Sequence, residues 1–170
     1  MDYFKHPTAE VSDKAKIGRK TKIWHNVQIR EGVEIGENCI IGKNVYIDLG
    51  VKIGNNCKIQ NNCSIYHGTT IGNGVFIGPH VVFTNDKIPR AINEEGSLKT
   101  ATDWEAGKIF VETGASIGAN STILPNVTIG KFAMIGAGSV ITKNVPNYAL
   151  IYGNPARQFG RVDKSGNRIE

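Results

Sequence analysis

A chain of 170 residues, 40% apolar and 21% charged, has the size of one domain and is neither disordered nor membrane-embedded by composition. Its net charge of +5 comes from Lys and Arg scattered singly, as at Lys52, Lys58 and Lys131, which argues against a nucleic-acid partner and fits small anionic ligands. No apolar run approaches the roughly 20 residues of a membrane-spanning helix, and residues 1–10 hold no apolar leader core, so a cytoplasmic protein without a membrane partner is expected.

From Val11 the chain repeats every six residues. Aliphatics or Phe occupy each step from Val11 through Ile17, Ile23 and Ile29 to Phe83, and again from Val111 to Ile141, and 16 of these 19 positions are Ile. Two residues before each sits a small or β-branched residue, such as Thr21, Val33, Ala115 or Ser139. Residues two apart in a strand face the same side, so each hexad points one large and one small group inward. Cys39, Cys57 and Cys63 fall in the small column, lack CxxC spacing and are odd in number, which makes them reduced interior fillers. Gly follows the aliphatic in nine of the 19 hexads, where the chain bends.

A period of six is not helical, and the content of Ile, Val and Gly favours short strands. Three hexads per coil build a prism whose coils pair about 4.8 Å apart, with each residue stacked on the one three hexads later. Asn26, Asn44, Asn62 and His80 then form one corner ladder, since Asn tolerates positive φ. One domain over residues 1–170 is expected: coils over 11–84, an inserted loop over 85–108, further coils over 109–143 and a tail over 144–170. An excursion as long as that loop, with Pro89, Arg90 and Trp104, is expected to dock on a neighbouring subunit or to stabilise the assembly. Residues 158–170 are polar and read as a frayed or weakly docked tail.

The hexads resemble the left-handed parallel β-helix family of hexapeptide-repeat proteins, over residues 6–157. That resemblance, and not the period, implies the left hand, and it implies a homotrimer with sites in clefts between prisms. The ending Val145-Pro146, Tyr148-Ala149-Leu150 and Gly153-Asn154-Pro155-Ala156-Arg157 is similar to that of many hexapeptide acyltransferases that use acyl-CoA. It implies acetyl-CoA as co-substrate, with no metal, held by Ala119 and Ala137 along a corner and by Lys143 and Arg157 at the phosphates. Small groups at 119 and 137 equally ease the corner itself. The segments HPTAEV (6–11), IWHNVQI (23–29), KIQNNCSIY (58–66), VFIGPHVVFTND (75–86) and PRA (89–91) together resemble the nucleotide-sugar 3-N-acetyltransferases. Those enzymes acetylate the amine, at C3, of a UDP- or dTDP-linked amino sugar used for surface polysaccharides. Within these segments His25, Gln60, Asn62 and Arg90 are implied to hold the substrate. The family more often has a small residue at the place of His80 and Phe at that of Asn26, which leaves the sugar open.

The reacting centre is expected where the coil breaks. Asn85 comes three hexads after His67, hence one coil above it, with Asp86 beside it and His80 on an adjacent corner. Attack of an amine on a thioester needs a proton acceptor, for which His67 or His80 has the right pKa class, and an oxyanion donor such as Asn85. The departing CoA thiolate can also take the proton, and Asn85 can instead simply end its strand. Three competing readings remain: an O-acetyltransferase on a sugar or serine hydroxyl, a zinc carbonic anhydrase, and a non-catalytic trimeric scaffold. Histidine separations of 19, 42 and 13 give no close pair, which counts against zinc.

Overall fold

Ile and Val at a six-residue period can all be buried only if the chain turns a corner after every strand and returns beneath itself. A computed structural model describes residues 2–169 as 22 short strands, without a helix among the described residues. They form three sheets of nine, seven and six strands, in which each strand of the coils pairs with the third strand before and after it. Lys22 stands on Ile40, Ile40 on Lys58 and Lys58 on Phe76, a step of three hexads that recurs in all three sheets. This is the expected left-handed β-helix, and among the described residues no helix is long and apolar enough to cross a membrane.

The interior is the two expected columns. Ile23, Ile41, Ile59, Ile77 and Ile117 are fully buried, and so are the small residues Val33, Cys39, Cys57, Cys63 and Ala115. The small column also admits Thr, Ser and Cys for a reason of hydrogen bonding. The Thr21 hydroxyl donates to the Gly36 carbonyl at 2.8 Å, and the thiols of Cys39, Cys57 and Cys63 donate to Gly54, Gly72 and Gly78 at 3.2, 3.1 and 3.1 Å. Each of these buried donors therefore meets a carbonyl at another corner, as burial requires.

At most corners the residue three past the aliphatic takes positive φ: Asn26, Asn44, Asn62 and His80 lie at 53°, 57°, 61° and 60°. A second ladder, at Asn38 and Asn56 on another corner, joins side chain to side chain at 2.8 Å.

Across the insertion the step lengthens, with Thr69 on Ile109 and Phe76 on Ser116. The coils before and after it therefore pair directly, and the loop is a closed excursion. Its neck is the hydrogen bond from the Gly107 amide to the Asn85 carbonyl at 2.7 Å, directly above the turn at Gly68. Gly68 is required there, because its φ is 91° and any Cβ would strike the Gly107 carbonyl.

Both ends depart from the sequence expectation. The first rung is Phe4–Lys5, paired with Lys22–Ile23, rather than starting at Val11. Lys5 fills the aliphatic slot at the open end of the prism, where nothing demands burial, so the repeat is invisible there. The tail is not frayed: Ala156–Arg161 folds back antiparallel on Ala149–Gly153, with Val162 buried and Phe159 stacked on Tyr152 at 3.9 Å. Its polar residues face water from a strand that covers the end of the nine-stranded sheet.

Replacing Ile59 by Asp puts an unpaired charge among fully buried neighbours. The expected cost is about 4 kcal/mol or more, enough to unfold the chain in a thermal melt followed by circular dichroism.

Candidate active site

The residues two past the aliphatics of the seven-stranded sheet stack as Leu49, His67, Asn85, Pro125 and Lys143. Those two past the aliphatics of the nine-stranded sheet stack as His25, Lys43, Asn61, Pro79, Ala119 and Ala137, with Gln60, Asn62 and His80 beside them. The expected site residues thus divide between two edges of one prism, separated by the width of a sheet. His67, Asn85, Asp86 and Lys143 share one edge; His25, Gln60, Asn62, His80, Ala119 and Ala137 share the other. Two edges of a convex prism point away from each other and cannot enclose one small ligand.

On the first edge His67 is exposed, and its Nδ1 lies 2.9 Å from the Leu49 carbonyl oxygen. A carbonyl only accepts, so Nδ1 carries the proton, and in the neutral ring the lone pair is on Nε2. Among the described residues Nε2 has no hydrogen-bond partner. Asn85, one coil above, is half-buried; its carbonyl closes the loop neck and its side-chain amide makes no hydrogen bond to the described chain. Asp86 is occupied in turning the loop, accepting from the Ile88 amide at 2.8 Å.

Beneath His67 lies a carboxylate that the sequence reading passed over. Asp48 is 8% exposed; its Oδ1 accepts from the Leu49 amide at 2.8 Å, the Tyr46 hydroxyl at 2.9 Å and Arg30 at 3.3 Å, and its Oδ2 from the His67 amide at 3.2 Å. Burial pushes this carboxyl up, but the Leu49 and His67 amides, the Tyr46 hydroxyl and the Arg30 charge outweigh it and hold the group below its ordinary value. Its only signal in the sequence is an acid in a corner slot that holds Gly in nine hexads.

On the second edge the ladder consumes two of the expected groups. The Asn44 amide donates to Asn62 at 3.0 Å, and Asn62 Nδ2 lies 3.3 Å from His80 Nε2, which must accept because the amide nitrogen can only donate. His80 therefore stands as a ladder rung at positive φ, on a different edge from His67. Gln60 is half-buried beside the ladder. The backbones of Ala119 and Ala137 lie so close over Gly78 and Gly118 that a Cβ on either glycine would strike their amides, so positions 78 and 118 need glycine for the coils to stack. His25 stacks on His6 with ring centroids 3.5 Å apart. That corrects the expectation of no close histidine pair: a separation of 19 is one coil plus one residue. The rings are stacked, their planes inclined by 29°, so their in-plane lone pairs do not converge as metal ligands would. Burial and the neighbouring His25 hold His6 below its ordinary value.

The remaining expected residues line hollows. Lys143 and Arg157 both line one of about 360 Å³ at the C-terminal end, with Asn144 and Pro146. Arg90 is on the loop, lining a second with Ile92, Asn93, Glu94 and Lys99. The loop exposes Ile88, Ile92 and Leu98 by 71, 52 and 75%, while Trp104 is half-buried.

The chain matches the family described as bacterial transferase hexapeptide (six repeats) over residues 14–48, 50–85 and 108–143, and hexapeptide repeat of succinyl-transferase over 32–67. It belongs to the hexapeptide-repeat transferase family. Among curated relatives it is 52% identical over 64 residues to a dTDP-3-amino-3,6-dideoxy-alpha-D-galactopyranose 3-N-acetyltransferase of Aneurinibacillus thermoaerophilus, a stretch covering 38% of this chain and 33% of that protein. The match therefore spans about a third of that relative's length. Among solved structures, a hexapeptide transferase family protein of Anaplasma phagocytophilum superposes with a TM-score of 0.63 at 20% identity, covering 93% of this chain and 81% of its own. A variant of the Bacillus cereus N-acyltransferase AntD, in complex with dTDP-4-amino-4,6-dideoxyglucose and coenzyme A, superposes with a TM-score of 0.56 at 22% identity, covering 91% and 81%. At these identities the likeness is one of fold.

The ladder role of His80 is testable by stability alone. His80→Asn, which keeps a side chain at ease in positive φ, should leave Tm unchanged or raise it. His80→Val should cost about 1–2 kcal/mol, read from denaturant unfolding.

Proposed function

We propose that the chain, as a homotrimer, transfers the acetyl group of acetyl-CoA to the amine, at C3, of a dTDP- or UDP-linked amino sugar. The observation that carries this reading is His67, fixed through Nδ1 with Nε2 unpartnered among the described residues, one coil beneath Asn85 at the neck of the loop. Membership of a transferase family and the likeness to a dTDP-amino-sugar acetyltransferase supply the substrate class.

The amine nitrogen attacks the thioester carbonyl carbon, forming the C–N bond. The Asn85 amide N–H donates to the developing oxyanion. The proton leaving nitrogen passes to His67 Nε2 as the C–S bond breaks, and from there to the departing CoA thiolate. Lys143 lies on the same edge, two coils beyond Asn85, and with Arg157 offers cationic donors to the CoA phosphates. Arg90 offers the same to the nucleotide diphosphate, and His25 and Gln60, on the second edge, are offered to the nucleotide sugar by the neighbouring copy.

The divided edges support assembly with a further copy, and the family resemblance supplies the trimer. Ala119 and Ala137 can face His67 and Asn85 only when they come from a neighbouring copy. The apolar residues Ile88, Ile92 and Leu98 on the loop give that copy a surface to cover them. Acetyl-CoA and three buried free thiols both fit a cytoplasmic setting and one domain working in a reducing compartment.

The test compares a dTDP-linked 3-amino sugar with its 3-hydroxy counterpart, using acetyl-CoA and the purified protein. Only the amine should be acetylated, and Asn85→Ala should turn over at least about tenfold more slowly than His80→Ala while melting normally. A faster hydroxy substrate identifies an O-acetyltransferase and overturns the reading.

A further inference from the structure

Other coils of the seven-stranded sheet turn the corner occupied by Asp48 with Ser12, Thr84, Leu124 and Thr142. The bend itself therefore needs no carboxylate. Elsewhere the exposed corner amides are met by an Asn side chain from the next coil, as Asn55 meets Glu37 and Asn61 meets Lys43, at 2.7 and 2.9 Å. Asp48 instead meets the amides of two successive coils at once, those of Leu49 and His67.

These contacts close a ring. One carboxylate oxygen accepts from the Leu49 N–H, the Leu49 carbonyl accepts from His67 Nδ1–H, and the His67 N–H donates to the other carboxylate oxygen. The backbone that holds the imidazole and the backbone that carries it are thus fastened to one buried group. Arg30 and the Tyr46 hydroxyl fix that group from the far side. Gly50, at φ 66°, turns the chain beside the ring, and a Cβ there would only touch Nδ1, at 3.7 Å.

We infer that Asp48 is a positioning residue, which through the stacked corners of Leu49 and His67 sets the tautomer and direction of the His67 imidazole. The inference rests on the reading of His67 as the proton acceptor, but its primary test does not. An ionised carboxylate accepts from both amides. In Asp48→Asn one of the two oxygens becomes an NH₂ donor facing an N–H donor, so one side of the ring opens. A histidine without that constraint reverts toward the Nε2–H form preferred by free imidazole, which removes the outward lone pair.

The experiment is long-range proton–nitrogen NMR of the neutral His67 ring in the full chain, beside steady-state kinetics. Wild type should carry the proton on Nδ1. Asp48→Asn should lose that signature and lower kcat by about 10-fold to 10²-fold with KM for acetyl-CoA unchanged. A wild-type ring protonated on Nε2 overturns the inference, as does Asp48→Asn with both the signature and kcat intact. Should Asp48→Asn fail to fold, the wild-type spectrum and Asp48→Glu, which restores an ionised acceptor and should retain part of the signature, decide it. Separately, full turnover in His67→Ala overturns the proton-acceptor role and leaves the tautomer result to judge Asp48.

Discussion

The fixed step of three hexads between stacked coils is the constraint on which everything else depends. An amide donates to a carbonyl of the coil above, as Lys58 does to Val75 at 3.0 Å, or of the coil below, as His80 does to Asn61 at 3.0 Å. Because almost all the strands are only two or three residues long, none is stable by itself, and each is held by the coil above and below. One added residue in a coil would rotate every later aliphatic out of the core. An insertion is tolerated only if it leaves and returns at the same point, which is what the Asn85–Gly107 hydrogen bond achieves.

The same constraint turns chemistry into columns. A side chain's neighbours lie one coil away, so a functional cluster is assembled along an edge and not along the chain. His67, Leu49 and Asp48 meet because 67 and 49 are one coil apart, and the carboxylate reaches both of their amides. In the reading proposed above, a rigid edge suits a base that must keep one tautomer, and the loop beside it would form one wall of the site. The second wall has to come from another copy, which ties catalysis to assembly in the reading proposed above.

The core was legible in the sequence because burial repeats: every residue of the aliphatic column from Ile23 to Ile141 is inside, and the ladder of Asn26, Asn44 and Asn62 stands at the corner its φ preference dictates. The ends were not, since Lys5 and residues 156–161 pair as strands without needing an apolar hexad. In the site, the stacking of His67 under Asn85 follows from subtraction alone. The separation of the two edges does too, yet only the folded chain makes plain that His80 and Asn62 spend their polar atoms on each other. Asp48 was hidden because nothing in a hexad marks an outward residue as buried; its burial comes from Tyr46, Arg30 and the turn above it. The His6–His25 stack was missed because a separation of 19 is one residue more than a full coil, so subtraction does not stack the two residues, yet their rings meet.

The claim that amine acetylation occurs at the loop neck is tested most directly by a crystal structure of the protein with CoA and a dTDP-linked 3-amino sugar. The sugar nitrogen should lie within about 3.2 Å of His67 Nε2, directly or through one water. Asn85 of that chain should stand beside it, and the pantetheine arm should run along Ala119 and Ala137 of the adjoining copy. A sugar nitrogen seated instead against His80 and Asn62, with His67 facing empty solvent, would contradict it.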